Sequence, residues 1–252
     1  MVENPPRRVL EQARRAHLGA PVRAFDTRPR ALAWVLLLAL AAGVLVLGGL
    51  AYRTSGRPVP GTIALALAAA YLAGALVILW KAVLRGRVVH LFENGFTVAA
   101  GHTPEVYTWD ELISVSMTGL RNTRRGAIRW RFTAIAGDGR EVVFGGELPR
   151  LGEFGEVVTH EVTVRVVPWY LRAIGAGGTV SFGPFVVSRE GIAKDGEAVP
   201  WTLARDVVID NGMVLVWRAD EVALAATVGS VPNAVALAAL CQELRTRWPS
   251  IQ

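Results

Sequence analysis

The chain has 252 residues, 27 Lys and Arg against 21 Asp and Glu, and 52% hydrophobic residues with a positive mean hydropathy. That composition excludes a disordered tail and a collagen-like fibre. The net charge of +6 is unevenly spread: residues 1–86 carry 11 basic and 3 acidic side chains, net +8, while residues 87–252 carry 16 and 18, net −2. A nucleic-acid surface needs cations clustered on the folded domain itself, so this distribution argues against a DNA or RNA partner.

The first segment, residues 1–30, is basic and rich in proline. RRVLEQARRAHLG can form a short helix with Val9, Leu10 and Ala13 near one another and arginines over much of the rest. Such a helix could lie on anionic lipid. Its apolar face lacks large residues, so the expectation is a flexible positive flank that only sets membrane orientation.

Two charge-free runs follow, residues 31–52 and 58–80. Each is long enough, at ~1.5 Å per residue, to cross a hydrocarbon core of ~30 Å. RTSGRPVPG between them is too short to be a domain, so residues 31–85 read as an antiparallel transmembrane hairpin. The first run starts too late and is too long for a signal peptide. Arginines 7, 8, 14, 15, 23, 28 and 30 precede the hairpin, and Lys81, Arg85 and Arg87 follow it, against only Arg53 and Arg57 in the loop. Lys and Arg resist translocation, so both termini are expected in the cytoplasm, with Trp34 and Trp80 at the cytoplasmic headgroup levels. Neither run holds an ionisable side chain, which argues against a channel or transporter built from these helices alone. Ala39 and Gly43, and Ala66, Ala70 and Gly74, recur every fourth residue and are expected to pack the hairpin against itself, with a homo-oligomer as the alternative use.

After residue 86 the pattern becomes short alternating runs punctuated by glycine, the sign of β-structure. RVVHLF, FTVAA, EVYTW, AIRWRFTAI and REVVFGG read as a meander, with turns at Asn94-Gly95 and Gly137-Asp138-Gly139. Alternation puts Ile128, Trp130, Phe132 and Ala134 on one face of their strand. Leu151, Phe154, Val158, Val162, Val166 and Trp169 have helical spacing, and Pro168 is expected to kink or divide that helix. A second strand set, TVSF, PFVVS, GIAKDG, AVPW, DVVID, MVLVW and EVALAATV, turns at Asp210-Asn211-Gly212 and closes with a helix over residues 232–248. There Val235, Leu237, Leu240, Cys241 and Leu244 are apolar and Ser230 is available as a cap. Cys241, the sole cysteine, reads as a small buried hydrophobe.

The two sets resemble each other: Glu93-Asn94-Gly95-Phe96 precedes Trp109 and Val115, as Arg189-Glu190-Gly191-Ile192 precedes Trp201 and Val207. Each ends in a helix. Hence the expected fold is a two-helix transmembrane hairpin followed by a β-rich α+β region of two tandem pleckstrin-homology-like units, residues 86–176 and 177–252, each a small antiparallel sheet closed by a C-terminal helix. LFENGF, YTWDELISV, GELPRLGEFGEVV, VSREGI, VPW and DNGMV carry a resemblance to a bacterial family of uncharacterised two-span membrane proteins with pleckstrin-homology-like cytoplasmic domains. That resemblance implies an inner-membrane protein and brings no settled activity with it.

Enzymatic signatures are absent: no Gly-x-Ser-x-Gly elbow, Walker loop, paired metal-binding cysteines or His-Glu-x-x-His helix. His17, His90, His102 and His160 are scattered, no cofactor or metal is implied, and Asp110 and Glu111 read as solvated strand ends. Trp109 and Trp201 read as core. The strongest binding signal is Arg121, Arg124, Arg125, Arg129 and Arg131, five guanidinium groups without an intervening acid, suited to bidentate contact with phosphate. The expected function is non-enzymatic, a membrane-anchored binding or scaffolding protein with an unknown protein partner. The alternative is a sensor of anionic lipid headgroups through these arginines, and an enzyme of unknown class ranks third.

Overall fold

The computed structural model describes residues 5–26, 28–85, 87–100, 103–121, 128–146 and 148–247. The chain divides into two compact units, Met1–Val106 and Tyr107–Gln252.

In the first unit, Pro6 caps a helix α1 (Arg7–Arg15), and the Val9 amide donates to Pro6 O at 2.9 Å. Val9 and Ala13 are buried and cluster with Leu18 and Phe92. Strand β1 (Pro21–Asp26) follows and leads into the long helices α2 (Arg28–Thr54) and α3 (Pro58–Arg85). The chain then forms β2 (Arg87–Phe92), β3 (Gly95–Ala100) and β4 (Thr103–Thr108), and the sheet order is β1-β2-β3-β4. Thus the N-terminal segment is an ordered helix and a strand, not the expected flexible flank. The reason is its pairing: β1 lies antiparallel to β2, with Ala24 opposite His90, Phe25 opposite Val89 and Asp26 opposite Val88. The sheet that holds β2 therefore takes its first strand from Pro21–Asp26, ahead of the two long apolar helices.

Two long apolar helices, Leu32–Thr54 and Pro58–Trp80, form a hairpin long enough to cross a membrane. Their outward residues are large and apolar, with Leu36 70% and Leu47 72% exposed. The seam is not built on the small residues expected from the sequence. Ala39, Ala66 and Ala70 are exposed, and a Cβ on Gly43 would meet nothing within 4 Å. Instead Ala42, Gly49, Gly61, Ala68 and Ala75 are buried, seven residues apart on each helix. A Cβ on Gly61 would lie 2.8 Å from Gly49 O, so the backbones approach there only because both positions are glycine. A repeat of seven keeps one face of two slightly inclined helices in register, whereas a spacing of four drifts around the helix.

The second unit starts with a 3-10 turn at Trp109–Glu111, then β5 (Leu112–Arg121), β6 (Ile128–Ala136) and β7 (Glu141–Phe144), a three-stranded antiparallel sheet. Helix α4 (Leu151–Gly175) follows as one continuous element with Pro168 inside it. The chain continues through β8 (Val180–Phe182), β9 (Phe185–Val187), β10 (Gly191–Lys194) and β11 (Glu197–Pro200), a four-stranded sheet in the order β11-β10-β9-β8. It ends with β12 (Ala204–Asp210), β13 (Met213–Arg218), β14 (Glu221–Thr227) and helix α5 (Ala234–Arg247). The Asn211-Gly212 turn has φ of +48° and +77°, the left-handed pair that a two-residue hairpin requires.

Helix α4 survives its β-branched residues and its proline because it is packed at both ends. Near its start Phe154 is fully buried, with ring centroids 6.0 Å from Phe132 and 4.8 Å from Phe144 in edge-to-face contact; such pairs contribute ~0.5–1.5 kcal/mol beyond area burial. Towards its end Val167 and Ile174 belong to the core of the second strand set, with Phe182, Phe185, Ile192, Leu237 and Leu240. The buried stripe therefore runs through Val158, Val162, Val167 and Ile174, and Trp169, expected on it, is 59% exposed. On α5 the core residues are Leu237, Leu240, Cys241 and Leu244, while Val235 is exposed. Ser230 does not cap this helix; its hydroxyl donates to Thr227 O.

In chain order both strand sets run as a four-stranded sheet, a three-stranded sheet and a helix. Their helices begin alike: Leu148-Pro149-Arg150-Leu151 matches Val231-Pro232-Asn233-Ala234, and Arg150 and Asn233 take φ of +56° and +54°. One connection differs greatly. The β8–β9 turn is Gly183-Pro184, with Phe182 opposite Phe185, while the corresponding β1–β2 connection holds the entire apolar hairpin.

Candidate functional site

The five candidate arginines fall on the β5–β6 hairpin and its tip. Arg124 and Arg125 lie outside the described residues. Register sets Arg121 opposite Ile128, Arg129 opposite Leu120 and Arg131 opposite Thr118. Arg129 and Arg131, two apart on one strand, occupy the same face, and Arg121 takes a position on the other face. Arg131 is exposed. On this strand Phe132 and Ala134 are buried as the alternation requires.

Acidic residues that could suggest catalysis are ion-paired on the surface. Asp110 accepts from Arg165 Nε at 2.8 Å, and Arg165 Nη1 donates to Glu161 Oε2 at 2.6 Å. Partial burial works against the Arg165 charge, but the hydrogen bonds to Glu161 and Asp110 outweigh it and raise the pKa. Glu111 accepts from Arg140, which also donates to Asp138 at 2.6 Å and lies 5.0 Å over the Tyr107 ring. The Arg140 amide and then its side chain hold the Asp138 carboxyl below its ordinary value. These contacts tie the turn after Trp109 to α4 and to the β6–β7 loop.

Trp109 and Trp201 are both buried, and Trp201 Nε1 donates to Ser188 O at 3.1 Å. Burial pushes the Cys241 thiol up, which keeps it protonated and unreactive. Glu93 accepts from the Ala20 amide at 3.0 Å, a structural task at the β2–β3 turn. No group of three or more His, Cys, Asp or Glu that could hold a metal occurs among the described residues.

Several concave regions lie in the second unit. An open groove of about 600 Å³ between α4 and α5 is lined by Val164, Pro168, Leu171 and Ala239, with Arg172 and Glu243 among its polar residues. A smaller recess of about 150 Å³ is lined by Val115, Met117, Phe132, Val231 and Ala234. Beside it sits an arrangement that the sequence pattern does not reveal. Asn233, buried and left-handed, pairs with the backbone of β5, and its Nδ2 donates to Ile113 O at 2.8 Å and to Tyr170 Oη at 3.2 Å. The Pro-Asn preceding α5 was a local signal for a special turn, but nothing in it named β5.

A family model described as a family of unknown function matches residues 3–247, a span that includes the hairpin and both strand sets. No curated protein and no solved structure matches the chain.

Proposed function

We propose, for a chain that belongs to the DUF6585 family of unknown function, the role of a non-enzymatic protein of the bacterial inner membrane that holds a tandem pleckstrin-homology-like module in the cytoplasm for binding or scaffolding. The observation that carries this reading is the pairing of β1 with β2 across the hairpin. One residue separates β1 from α2, and one separates α3 from β2. Both helix ends thus lie one residue from paired strands of the same sheet, so a hairpin that crosses a membrane must enter and leave on one side. The excess of cations on the flanks over the loop makes that side the cytoplasm. The repeated order of four strands, three strands and a helix supports the pleckstrin-homology-like reading. The apolar helices lack ionisable residues over residues 31–52 and 58–80, which supports an anchor in place of a conduit.

Crosslinking in native membranes followed by purification of the full chain tests this role. The reading expects a defined protein partner crosslinked to residues 87–247. Purified protein that turns over a substrate and captures no partner would contradict it.

A second reading, a sensor of anionic headgroups, is favoured by the register positions of Arg129 and Arg131, two apart on β6, where Arg131 is exposed. Liposome flotation decides it, but a fragment beginning at residue 87 would lose β1. The appropriate soluble form joins Asp26 to Val88 through two residues in place of 27–87, as Gly183-Pro184 joins β8 to β9. Equal flotation with and without Arg121, Arg124, Arg125, Arg129 and Arg131 changed to Ala would remove this reading.

A further inference from the structure

Helix α1 has two unlike faces, and the structure shows what each one meets. At 100° per residue, Arg14, Arg7, Arg15 and Arg8 fall within about 120° of the circumference, with Glu11 among them, and Val9 and Ala13 lie on the opposite side. All four arginines and Glu11 are exposed. Among the described residues none of the four forms an ion pair with an acid. Val9 is 3% and Ala13 2% exposed, packed with Leu18 and Phe92. A surface-seeking helix normally places its apolar face in lipid. Here that face is already occupied by the protein, so α1 does not insert and offers its charged face, four arginines with Glu11.

The turn that follows α1 fixes the helix to the sheet. The Asn94 amide donates to Leu18 O at 2.9 Å, Asn94 Nδ2 donates to His17 O at 3.2 Å, and the Ala20 amide donates to Glu93. Gly19, at φ +80°, lets the chain pass Glu93, where a Cβ would lie 2.5 Å from the carboxylate. Arg15 is 13 residues from Arg28, where α2 begins. At 3.3–3.6 Å per residue the arginine face can stand no more than about 45 Å from the membrane-entering helix.

We infer that the exposed face of α1, Arg7, Arg8, Arg14 and Arg15, is a peripheral binding surface for phosphate-bearing anionic headgroups of the bilayer that the hairpin spans. It works by charge without insertion and is separate from the β5–β6 arginines. Four guanidinium groups on a fixed helix face meet several headgroups at once, and their contact weakens with salt because the charges are solvent-exposed. The inference rests on the hairpin being a membrane anchor.

The test uses the full chain in nanodiscs with a fluorophore on Glu11→Cys. Buried Cys241, its thiol protonated, does not compete for the label. The nanodiscs are either pure phosphatidylcholine or a mixture with phosphatidylglycerol, and both contain trace lipid bearing a headgroup quencher. Quenching is expected to rise at least about twofold in the anionic discs and to collapse at high salt. It is expected to be lost when the four arginines become Gln and retained when they become Lys. Equal quenching in neutral and anionic discs, or quenching indifferent to the Gln changes, overturns the inference. So does a response to soluble tripolyphosphate in neutral discs with none to anionic lipid, which would assign the face to a free polyanion. Failure of the chain to enter nanodiscs at all would instead defeat the anchor reading on which the inference stands.

Discussion

Asn233 holds Val115 from both sides. Its backbone N–H donates to Val115 O at 2.8 Å, and the Val115 N–H donates to Asn233 Oδ1 at 2.7 Å. A residue at the start of α5 thereby completes the hydrogen bonding of β5, a strand 118 positions earlier. The left-handed φ of +54° is what turns both the amide and the side chain towards the strand, and asparagine tolerates that conformation better than most residues. Together with α4, which lends Phe154 to one core and Ile174 to the other, this contact makes Tyr107–Gln252 one body.

Asn233→Ala should therefore be among the more damaging single changes outside the apolar core. It leaves the buried Val115 N–H without its partner, removes the donor to the partly buried Ile113 O, and keeps a left-handed backbone at a residue that resists it. The expected cost is about 3 kcal/mol, read from denaturant unfolding of the second unit in detergent. Asn233→Gly relieves the backbone and should cost less than Ala. Equal stability of the Ala variant and the parent would show that the contact is not an anchor.

The hairpin seam predicts a contrast between two glycines. Gly61→Leu places carbon against Gly49 O and the Arg53 side chain, whereas Gly43→Leu meets open space. Overpacking costs about 1–3 kcal/mol, so Gly61→Leu should lower the thermal stability of the detergent-solubilised protein and Gly43→Leu should leave it unchanged. If the protein instead dimerises through Ala39 and Gly43, the second change would alter its size on a column and the first would not.

Replacing residues 27–87 with Asn-Gly between Asp26 and Val88 should give a soluble, folded protein. The β1–β2 register continues to Asp26 opposite Val88, and a two-residue turn suits that pairing. Circular dichroism and size-exclusion chromatography should show β-rich monodisperse material. Aggregation would mean that the hairpin is part of the fold and not an insertion into it.

Much of this arrangement was legible in the sequence, and the failures share a cause. The strands from RVVHLF onward and the turns at Asn94 and Asn211 are local patterns, and both long apolar helices announce themselves by length and composition. The strand at Pro21–Asp26 escapes a local reading because its partner lies beyond two long apolar helices, and PVRAFD has no alternation of its own strong enough to stand out. The seam was misassigned because spacings of four and seven both bring small residues to a face, and the partner helix decides between them. Trp169 was placed on the buried stripe because a strictly periodic reading cannot see that α4 changes the core it serves midway. The Asn233 contact is long-range, and the local Pro-Asn signal carries no information about its partner β5. For the arginines, sequence proximity concealed that Arg121 and the pair Arg129 and Arg131 take opposite faces of the hairpin.

Acid should expose the Arg140 to Asp138 contact. The carboxyl sits below its ordinary 3.8 in the folded protein, so its contribution is present above that value and disappears as pH falls through the lower folded value. Asp138→Asn should be slightly less stable than the parent at neutral pH, and the two unfolding curves should converge below pH 3.8. A difference that persists or grows in acid would assign the effect to something other than this carboxylate.

The account depends most on the hairpin crossing a membrane while both of its ends remain in one sheet. Single cysteines at Glu11, Ser55 and Asp220 can be probed with an impermeant maleimide in sealed, uniformly oriented membrane vesicles, since Cys241 is buried. The prediction is that Glu11→Cys and Asp220→Cys label together from the cytoplasmic side and Ser55→Cys labels only from the other. Labelling of Ser55→Cys from the same side as Glu11→Cys, or of Glu11→Cys and Asp220→Cys from opposite sides, would contradict it.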